Sequence, residues 1–276
     1  MKADTPRFLA VGDLMIDVVV AGRGHGGVAR LGPGGTAANA AAWAASLGAH
    51  STAVGAIGDD AGGRFLRAEL ERRGVEALFV VDPAGRTGTF VLADGEIHVD
   101  RGANATLEPG ALPPLPEADV ALVSGYLPRE ALAATLAHAP AGWVMLDAAA
   151  LAELPEGGNA VVANEQQARA LTGTEPQKAV RALAERYRLA CVTLGARGAL
   201  AVLDGRLEQA EPEERALQEG PGSGDAFAAG LLVTLARGGT LAQAVAEGCR
   251  CGAAAARSPG WPTVRESAQA ERKERL

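Results

Sequence analysis

Short apolar runs of strand length alternate along this chain with longer stretches of helical period. Such alternation is typical of βαβ units, in which helices cover both faces of a parallel sheet. The predicted strands are residues 8–12, 51–58, 120–125, 143–147, 160–164 and 189–195. The predicted helices are residues 36–48, 59–74, 128–139, 164–173, 177–188, 225–239 and a last helix from residue 240. We therefore expect an α/β fold with a mostly parallel central sheet, formed as a single domain by residues 1–276.

Two segments, residues 18–33 and 87–100, break this alternation. Both consist of short extended runs, and residues 93–96 give a hairpin signal between the two runs of the second segment. Neither segment has a helix of its own to pack against. They predict a small β-sheet that stands off the main domain as a lid. Its exposed edge strands predict pairing with a second copy, and hence a homodimer through the lid.

Charge and cysteine content restrict the partners of the chain. A net charge of −7, from 26 Lys+Arg against 33 Asp+Glu, argues against a nucleic-acid-binding protein. No apolar run reaches the ~20 residues that span a bilayer, and no signal-peptide core follows the N-terminus. Cys191, Cys249 and Cys251 lack metal-ligand spacing and predict reduced thiols. We expect a cytoplasmic protein that binds neither nucleic acid nor membrane, and that would hold an anion with backbone dipoles or a metal.

A glycine-rich string, GPGSGDAFAAG, directly precedes and opens one predicted helix. The amides of Gly222, Ser223 and Gly224 can point into one concavity at the positive end of that helix, which favours an anion. Asp225 beside them could accept a hydroxyl proton during phosphoryl transfer to an alcohol. The alternative interpretation is a simple turn with an N-cap, because the same residue types suit both.

A second string, GPGGTAANAAA, leads into an earlier helix. Gly34 and Gly35 precede this helix, Thr36 is its predicted N-cap, and Asn39 lies in its first turn. At the carboxyl side of the sheet, where α/β folds bind ligands, the Asn39 amide would suit sugar hydroxyls because it both donates and accepts. Asp17, after the first strand, could accept from the same hydroxyls. The alternatives are a polar residue tolerated in a helix for Asn39 and a cap or turn acid for Asp17.

In this order, the two strings resemble the two signatures of the ribokinase-like (PfkB) carbohydrate kinase family. The resemblance extends to VGDLMID (11–17), RGANATL (101–107), VANEQQARALTG (162–173) and VTLGARGAL (192–200), and so covers nearly the whole chain. It implies a three-layer αβα fold with a mostly parallel central sheet and a small β-lid. It also implies ATP and Mg²⁺ as cofactors.

The resemblance further implies a role for each matching residue. The catalytic base would be Asp225, beside the amides of Gly222, Ser223 and Gly224. The acceptor would contact Asp17, Gly34, Gly35, Asn39 and Asn104. The nucleotide would contact Asn164, Thr193, Gly195 and Gly198. No direct metal ligand is assigned, but Asn164 and Gln167 would organise the hydrated magnesium.

Two departures from the family pattern bear on activity. Gln167 stands where the Asn-x-x-Glu element has its acid, which would weaken the hold on hydrated magnesium. Residues 219–221 differ from the family loop that contributes to a monovalent-cation site, so potassium dependence is left open. Outside the signatures, Arg101 would suit either an acidic sugar in the acceptor site or a surface salt bridge. Asp147 ends a strand and could neighbour the nucleotide, but a helix cap is the simpler interpretation.

These features predict an ATP-dependent phosphotransferase, a carbohydrate kinase that acts on a hydroxyl of a small sugar of the ribose, fructose or keto-deoxy-gluconate type. Two alternatives remain open: a nucleoside kinase of the adenosine or pseudouridine type, and a catalytically weak family member that binds a sugar or a nucleotide. A dinucleotide-dependent oxidoreductase is disfavoured because the first strand runs into Gly12 and Asp13 rather than into a GxGxxG fingerprint.

Overall fold

The computed structural model describes residues 5–22, 24–211 and 221–257 of the chain. Within these ranges the strands are β1 (Arg7–Val11), β2 (Met15–Ala21), β3 (Val28–Gly34), β4 (His50–Gly58), β5 (Val75–Asp82), β6 (Gly88–Ala93), β7 (Glu96–Asp100), β8 (Ala118–Ser124), β9 (Ala141–Asp147), β10 (Ala160–Asn164), β11 (Leu189–Thr193), β12 (Ala199–Leu203) and β13 (Arg206–Ala210). The helices are α1 (Thr36–Ser46), α2 (Ala61–Arg72), α3 (Arg129–His138), α4 (Glu165–Thr172), α5 (Pro176–Ala184), α6 (Ser223–Ala236) and α7 (Leu241–Ala256). Residues 219 and 220, two of the predicted departures from the family loop, lie outside the described ranges.

The larger sheet has the strand order β13-β12-β11-β10-β9-β8-β1-β4-β5. Neighbouring strands pair in parallel from β5 to β11, whereas β12 and β13 add an antiparallel hairpin at one edge. This arrangement confirms the predicted mostly parallel sheet. The sequence pattern did not identify β5, β12 or β13. The edge strands β5 and β13 are mostly half-buried or exposed, so they lack the continuous burial of a central strand.

Helices cover both faces of this sheet. Helices α1, α2, α6 and α7 pack on one apolar cluster, and α3, α4 and α5 pack on a second cluster at the opposite face. The strands between them are buried on both sides; in β8, only Asp119 of the seven residues is exposed. The result is the three-layer αβα arrangement that the family resemblance implied.

The alanine-rich helix α1 packs against α6 and β4 near the centre of the sheet. Its small side chains allow a close approach, and Ala37, Ala38 and Ala40 are fully buried. The helix begins at Thr36, but its N-cap is Gly35, which has a φ of 81°. A β-branched threonine disfavours this left-handed conformation, so the prediction of Thr36 as the cap was wrong.

Other helix ends follow the predicted signals. Asp60 caps α2 by accepting a hydrogen bond from the Gly63 amide at 2.8 Å. Thr240 and Gln243 form a capping box at the start of α7. These caps satisfy amides that have no partner inside the helix.

The second sheet has four strands in the order β3-β2-β6-β7. It contains the two segments that break the alternation, residues 18–33 and 87–100, although β2 already begins at Met15. Asp94 and Gly95 join β6 to β7 with φ values of 51° and 84°, as the type I′ hairpin turn requires. Asp17, expected to follow the first strand, instead lies inside β2.

Within the described residues, no helix combines the length and the apolar character needed to cross a membrane. Cys191, Cys249 and Cys251 are buried free thiols.

Candidate active site

A cavity of about 360 Å³ opens at the carboxyl ends of the central strands. Asp147, Asn164 and Thr193, which line it, are the last residues of β9, β10 and β11. Parallel α/β sheets bind ligands at this end. The cavity unites eight of the residues predicted for the nucleotide and catalysis: Asn164, Thr193, Gly195, Gly198, Gly222, Ser223, Gly224 and Asp225. The predicted acceptor residues lie beside it, toward the second sheet.

The N-terminus of α6 faces this cavity. Gly222, the N-cap, has a left-handed φ of 76°, and no side chain caps the helix. The positive end of the helix dipole therefore points toward the cavity, where it favours an anion. A Cβ built on Gly224 would meet no other atom within 4 Å, so there is open space in front of this turn.

A hydrogen bond joins the two glycine-rich strings. Asn39 donates from Nδ2 to Oδ2 of Asp225 at 3.1 Å, across 186 residues of sequence. Among the described residues, neither Oδ1 of Asn39 nor Oδ1 of Asp17 has a hydrogen-bond partner, although both atoms are buried. Buried polar atoms are usually hydrogen-bonded, so these two acceptors fit a ligand that brings its own hydroxyl donors.

Glycines at positions 34 and 35 allow this arrangement. A Cβ on Gly34 would overlap the Asp17 carboxylate, and a Cβ on Gly35 would overlap the backbone carbonyl of Asp13. Gly35 also needs its positive φ of 81° at the start of α1. The first string therefore positions the Asp17 carboxylate and the Asp13 backbone as well as the helix.

The carboxylates of the cleft have raised pKa values. Burial, followed by the charge of the nearby Asp147, raises the pKa of Asp225 to about 8, although the Asn39 hydrogen bond opposes the shift. Burial also raises the pKa of Asp17 to about 7 and that of Asp147 to about 6. Raised values are typical of carboxyl groups that exchange protons during catalysis.

Asp147 lines the cavity, as the less favoured of the two sequence interpretations expected. Its interpretation as a helix cap was wrong, because a short turn follows β9 and Asp147 accepts from the Ala149 amide at 3.2 Å. The signal that favours the site interpretation is an acid at the carboxyl end of a buried parallel strand, the position that Asn164 and Thr193 also occupy.

Asn104 has a different role from the predicted contact with the acceptor. Its side chain is fully buried; Oδ1 accepts from the amides of Leu14 at 3.1 Å and Ala56 at 3.2 Å. Its Nδ2 donates to the carbonyls of Leu14 and Arg101, both at 3.0 Å. These four bonds use both donors and both acceptor positions of the side-chain amide. Asn104 therefore links the segments around Leu14, Ala56 and Arg101, and no donor or acceptor of its side chain remains for a substrate.

Arg101 is not a free cation in the acceptor site. It donates to the buried Asp13 carboxylate from Nε at 2.8 Å and from Nη2 at 2.7 Å, as a bidentate ion pair. Its guanidinium also lies 5.9 Å from the ring centroid of Tyr126, which lines the cavity. The sequence analysis identified neither Asp13 nor Tyr126 as a site residue, because this pairing spans 88 residues of sequence.

Asn164 and Gln167 form a capping box at the start of α4. The Gln167 amide donates to Oδ1 of Asn164, and the Asn164 amide donates to Oε1 of Gln167, both at 2.8 Å. Glutamine serves as well as glutamate in this motif, so the Gln167 departure preserves the local backbone. Glu165 pairs instead with Arg197.

Comparison with known proteins identifies the family to which the chain belongs. The pfkB family carbohydrate kinase profile matches residues 6–266. A fructokinase from Klebsiella pneumoniae is 29% identical, over 94% of this chain and 95% of that protein. An aminoimidazole riboside kinase from Salmonella typhimurium is 30% identical, over 84% of each. The crystal structure of a ribokinase from Thermotoga maritima is 23% identical and matches with a TM-score of 0.78, over 97% of this chain and 99% of that one, which confirms the predicted fold. The chain therefore belongs to the pfkB family of carbohydrate kinases.

Proposed function

We propose that this enzyme transfers the γ-phosphoryl group of ATP to a hydroxyl of a small sugar of the ribose or fructose type. The observation that supports the proposal is the hydrogen bond from Asn39 to Asp225, a carboxyl group of raised pKa in the first turn of α6. Oδ1 of Asn39 and Oδ1 of Asp17 are two further buried acceptors, which have no partner among the described residues. The fructokinase and riboside kinase relatives support the class of acceptor.

The acceptor would lie between the two sheets. Its hydroxyl groups would donate to Oδ1 of Asp17 and Oδ1 of Asn39, since both atoms are buried acceptors without a partner among the described residues. Asp225 would accept the proton of the reacting hydroxyl. A base with a pKa near the operating pH is well matched to this task, because it is available in its ionised form and still takes up a proton readily.

The nucleotide would occupy the cavity in front of α6. No lysine or arginine is found among the described residues that line it, so the phosphates would be held by the helix dipole and by the backbone at Gly222 and Gly224. Among the described residues there is no group of three or more His, Cys, Asp or Glu side chains suited to a metal. This fits Mg²⁺, which keeps several waters and binds largely through phosphate oxygens. Oxygen atoms of Asp147, Asn164 and Asp225 would hold its waters, and the bound ion neutralises charge on the phosphates.

The second sheet would act as a lid. Asp17 lies in its strand β2, so closure of this sheet would bring that carboxylate to the acceptor and exclude water from the transferring group. Exclusion matters because water would otherwise compete as the phosphoryl acceptor.

The test is a coupled ADP-release assay over ribose, fructose, keto-deoxy-gluconate, adenosine and pseudouridine. We expect acceptor-dependent ADP release with a sugar and its loss in Asp225→Asn, whose acceptor binding should persist in a thermal-shift measurement. Near-normal turnover of the variant would refute the assigned base. ADP release at the hydrolysis background for every acceptor, despite ligand binding, would favour the catalytically weak binding protein.

A nucleoside acceptor is the second candidate. Tyr126 is 43% exposed at the cavity, and a tyrosine ring in that position could stack on a nucleobase. The variant Tyr126→Ala distinguishes a nucleoside acceptor from a sugar acceptor. It should raise the KM for a nucleoside much more than the KM for a free sugar.

We further propose that the enzyme is a homodimer through the second sheet. Val28, Ile97 and Val99 are 57%, 59% and 53% exposed. Strand pairing places all three on the same face as Asp17, where a second copy could cover them. Ile97→Lys should convert a dimer to a monomer in sedimentation analysis; a monomeric parent protein would contradict the proposal.

A further inference from the structure

The ion pair of Asp13 and Arg101 lies close to the reacting groups. The Asp13 side chain is only 3% exposed, whereas the Arg101 side chain keeps 29% exposure. Arg101 packs over Tyr126, and the charges of Asp147, Asp225 and Asp13 all act on the Tyr126 hydroxyl. The pair therefore borders the space in which the acceptor and the catalytic base would meet.

The charges around this space are unbalanced. Asp17, Asp147 and Asp225 bring three carboxyl groups, and Asp147, Asp17 and Asp13 all act on Asp225. Arg101, the cation that acts on the neighbouring Tyr126, is already held by two short hydrogen bonds to Asp13. An acceptor that carried its own carboxylate would meet these groups and the phosphates of ATP while Arg101 is engaged with Asp13. Like charges at such distances repel strongly where water is partly excluded.

We propose that Asp13 makes the acceptor site selective for uncharged acceptors by holding Arg101 in a bidentate ion pair. Asp13 is thus a positioning residue that acts through Arg101. The inference rests on the proposed function and narrows it: neutral sugars are substrates, and sugar acids such as keto-deoxy-gluconate are rejected. The Arg101 guanidinium could bind the carboxylate of a sugar acid, but its ion pair with Asp13 prevents this contact.

Removing the Asp13 charge should therefore release Arg101 for an acidic ligand. Asparagine has nearly the same shape, so Asp13→Asn can keep one of the two hydrogen bonds while the guanidinium charge becomes uncompensated. Arg101→Gln combined with Asp13→Asn is the matched control, because it removes the cation that would bind the sugar acid.

The experiment is a binding titration without ATP, with fructose and ribose as neutral probes and keto-deoxy-gluconate and gluconate as acidic probes. For the parent protein, we expect the acids to bind at least about tenfold more weakly than the neutral sugars. For Asp13→Asn, the affinity ratio of acid to neutral sugar should rise by about tenfold or more, and the double variant should lose this gain.

Two results would overturn the inference: an unchanged ratio in Asp13→Asn, or a parent protein that binds the sugar acids better than the neutral sugars. The second comparison needs no variant, so it decides the question even if Asp13→Asn does not fold. If sugars bind but the coupled assay shows no ADP release, the proposed function is wrong. The ratio of acid to neutral-sugar affinity can still be measured in that case. Failure of every sugar to bind would overturn both.

Discussion

Substitution of Asn104 by alanine should reduce stability rather than act through the acceptor. It would remove four hydrogen bonds at a fully buried position and would leave the amides of Leu14 and Ala56 without their acceptor. Each unpaired buried N–H costs about 1–3 kcal/mol, so we expect the free energy of unfolding to fall by about 3–5 kcal/mol. Because the free energy of unfolding of a native protein is about 5–15 kcal/mol, this loss is a large share of its stability. The Tm should drop by about 10 °C.

The assay is thermal denaturation of Asn104→Ala together with steady-state kinetics, with Asn39→Ala as the matched control. Asn39 is equally an asparagine in a buried site, but its Oδ1 has no partner among the described residues. Its variant should keep a Tm within about 3 °C of the parent protein while its KM for the acceptor rises and its kcat falls. An Asn104→Ala protein with the parent Tm and a raised acceptor KM would refute the structural role given to Asn104.

Two further predictions concern the carboxylates of the cleft. Because Asp147 raises the pKa of Asp225, Asp147→Asn should move the acidic limb of the kcat/KM profile to lower pH. An acidic limb at the same pH would show that the Asp147 charge does not affect the pKa of the catalytic base. Folded Asp225 has a pKa of about 8 against the ordinary value of 3.8, so the ligand-free enzyme should lose stability as pH rises between these values. In thermal denaturation, Asp225→Asn should gain more stability over the parent protein above about pH 8 than near pH 5, and the reverse order would contradict the shift.

Much of the fold follows from local sequence. The alternation of apolar runs and helical stretches predicts the parallel sheet because burial on both faces demands continuous apolar strands. The Asp94 and Gly95 turn predicts its hairpin because both residues adopt a positive φ. The edge strands β5 and β13 were missed because partial exposure removes the burial constraint that makes a strand visible in sequence.

The sequence by itself predicted the chemistry proposed for the site: a helix N-terminus with Asp225 in its first turn, and a glycine turn followed by Asn39. Glycine requirements and helix dipoles are local properties, and they can be identified from spacing alone. Only the tertiary structure decided which polar side chains are still available. Asn104 and Arg101 resemble substrate contacts in sequence, but bonds spanning 90 and 88 residues occupy them. Whether a buried polar group is satisfied depends on neighbours that the fold supplies, and that is why Asn39 keeps a free acceptor and Asn104 does not.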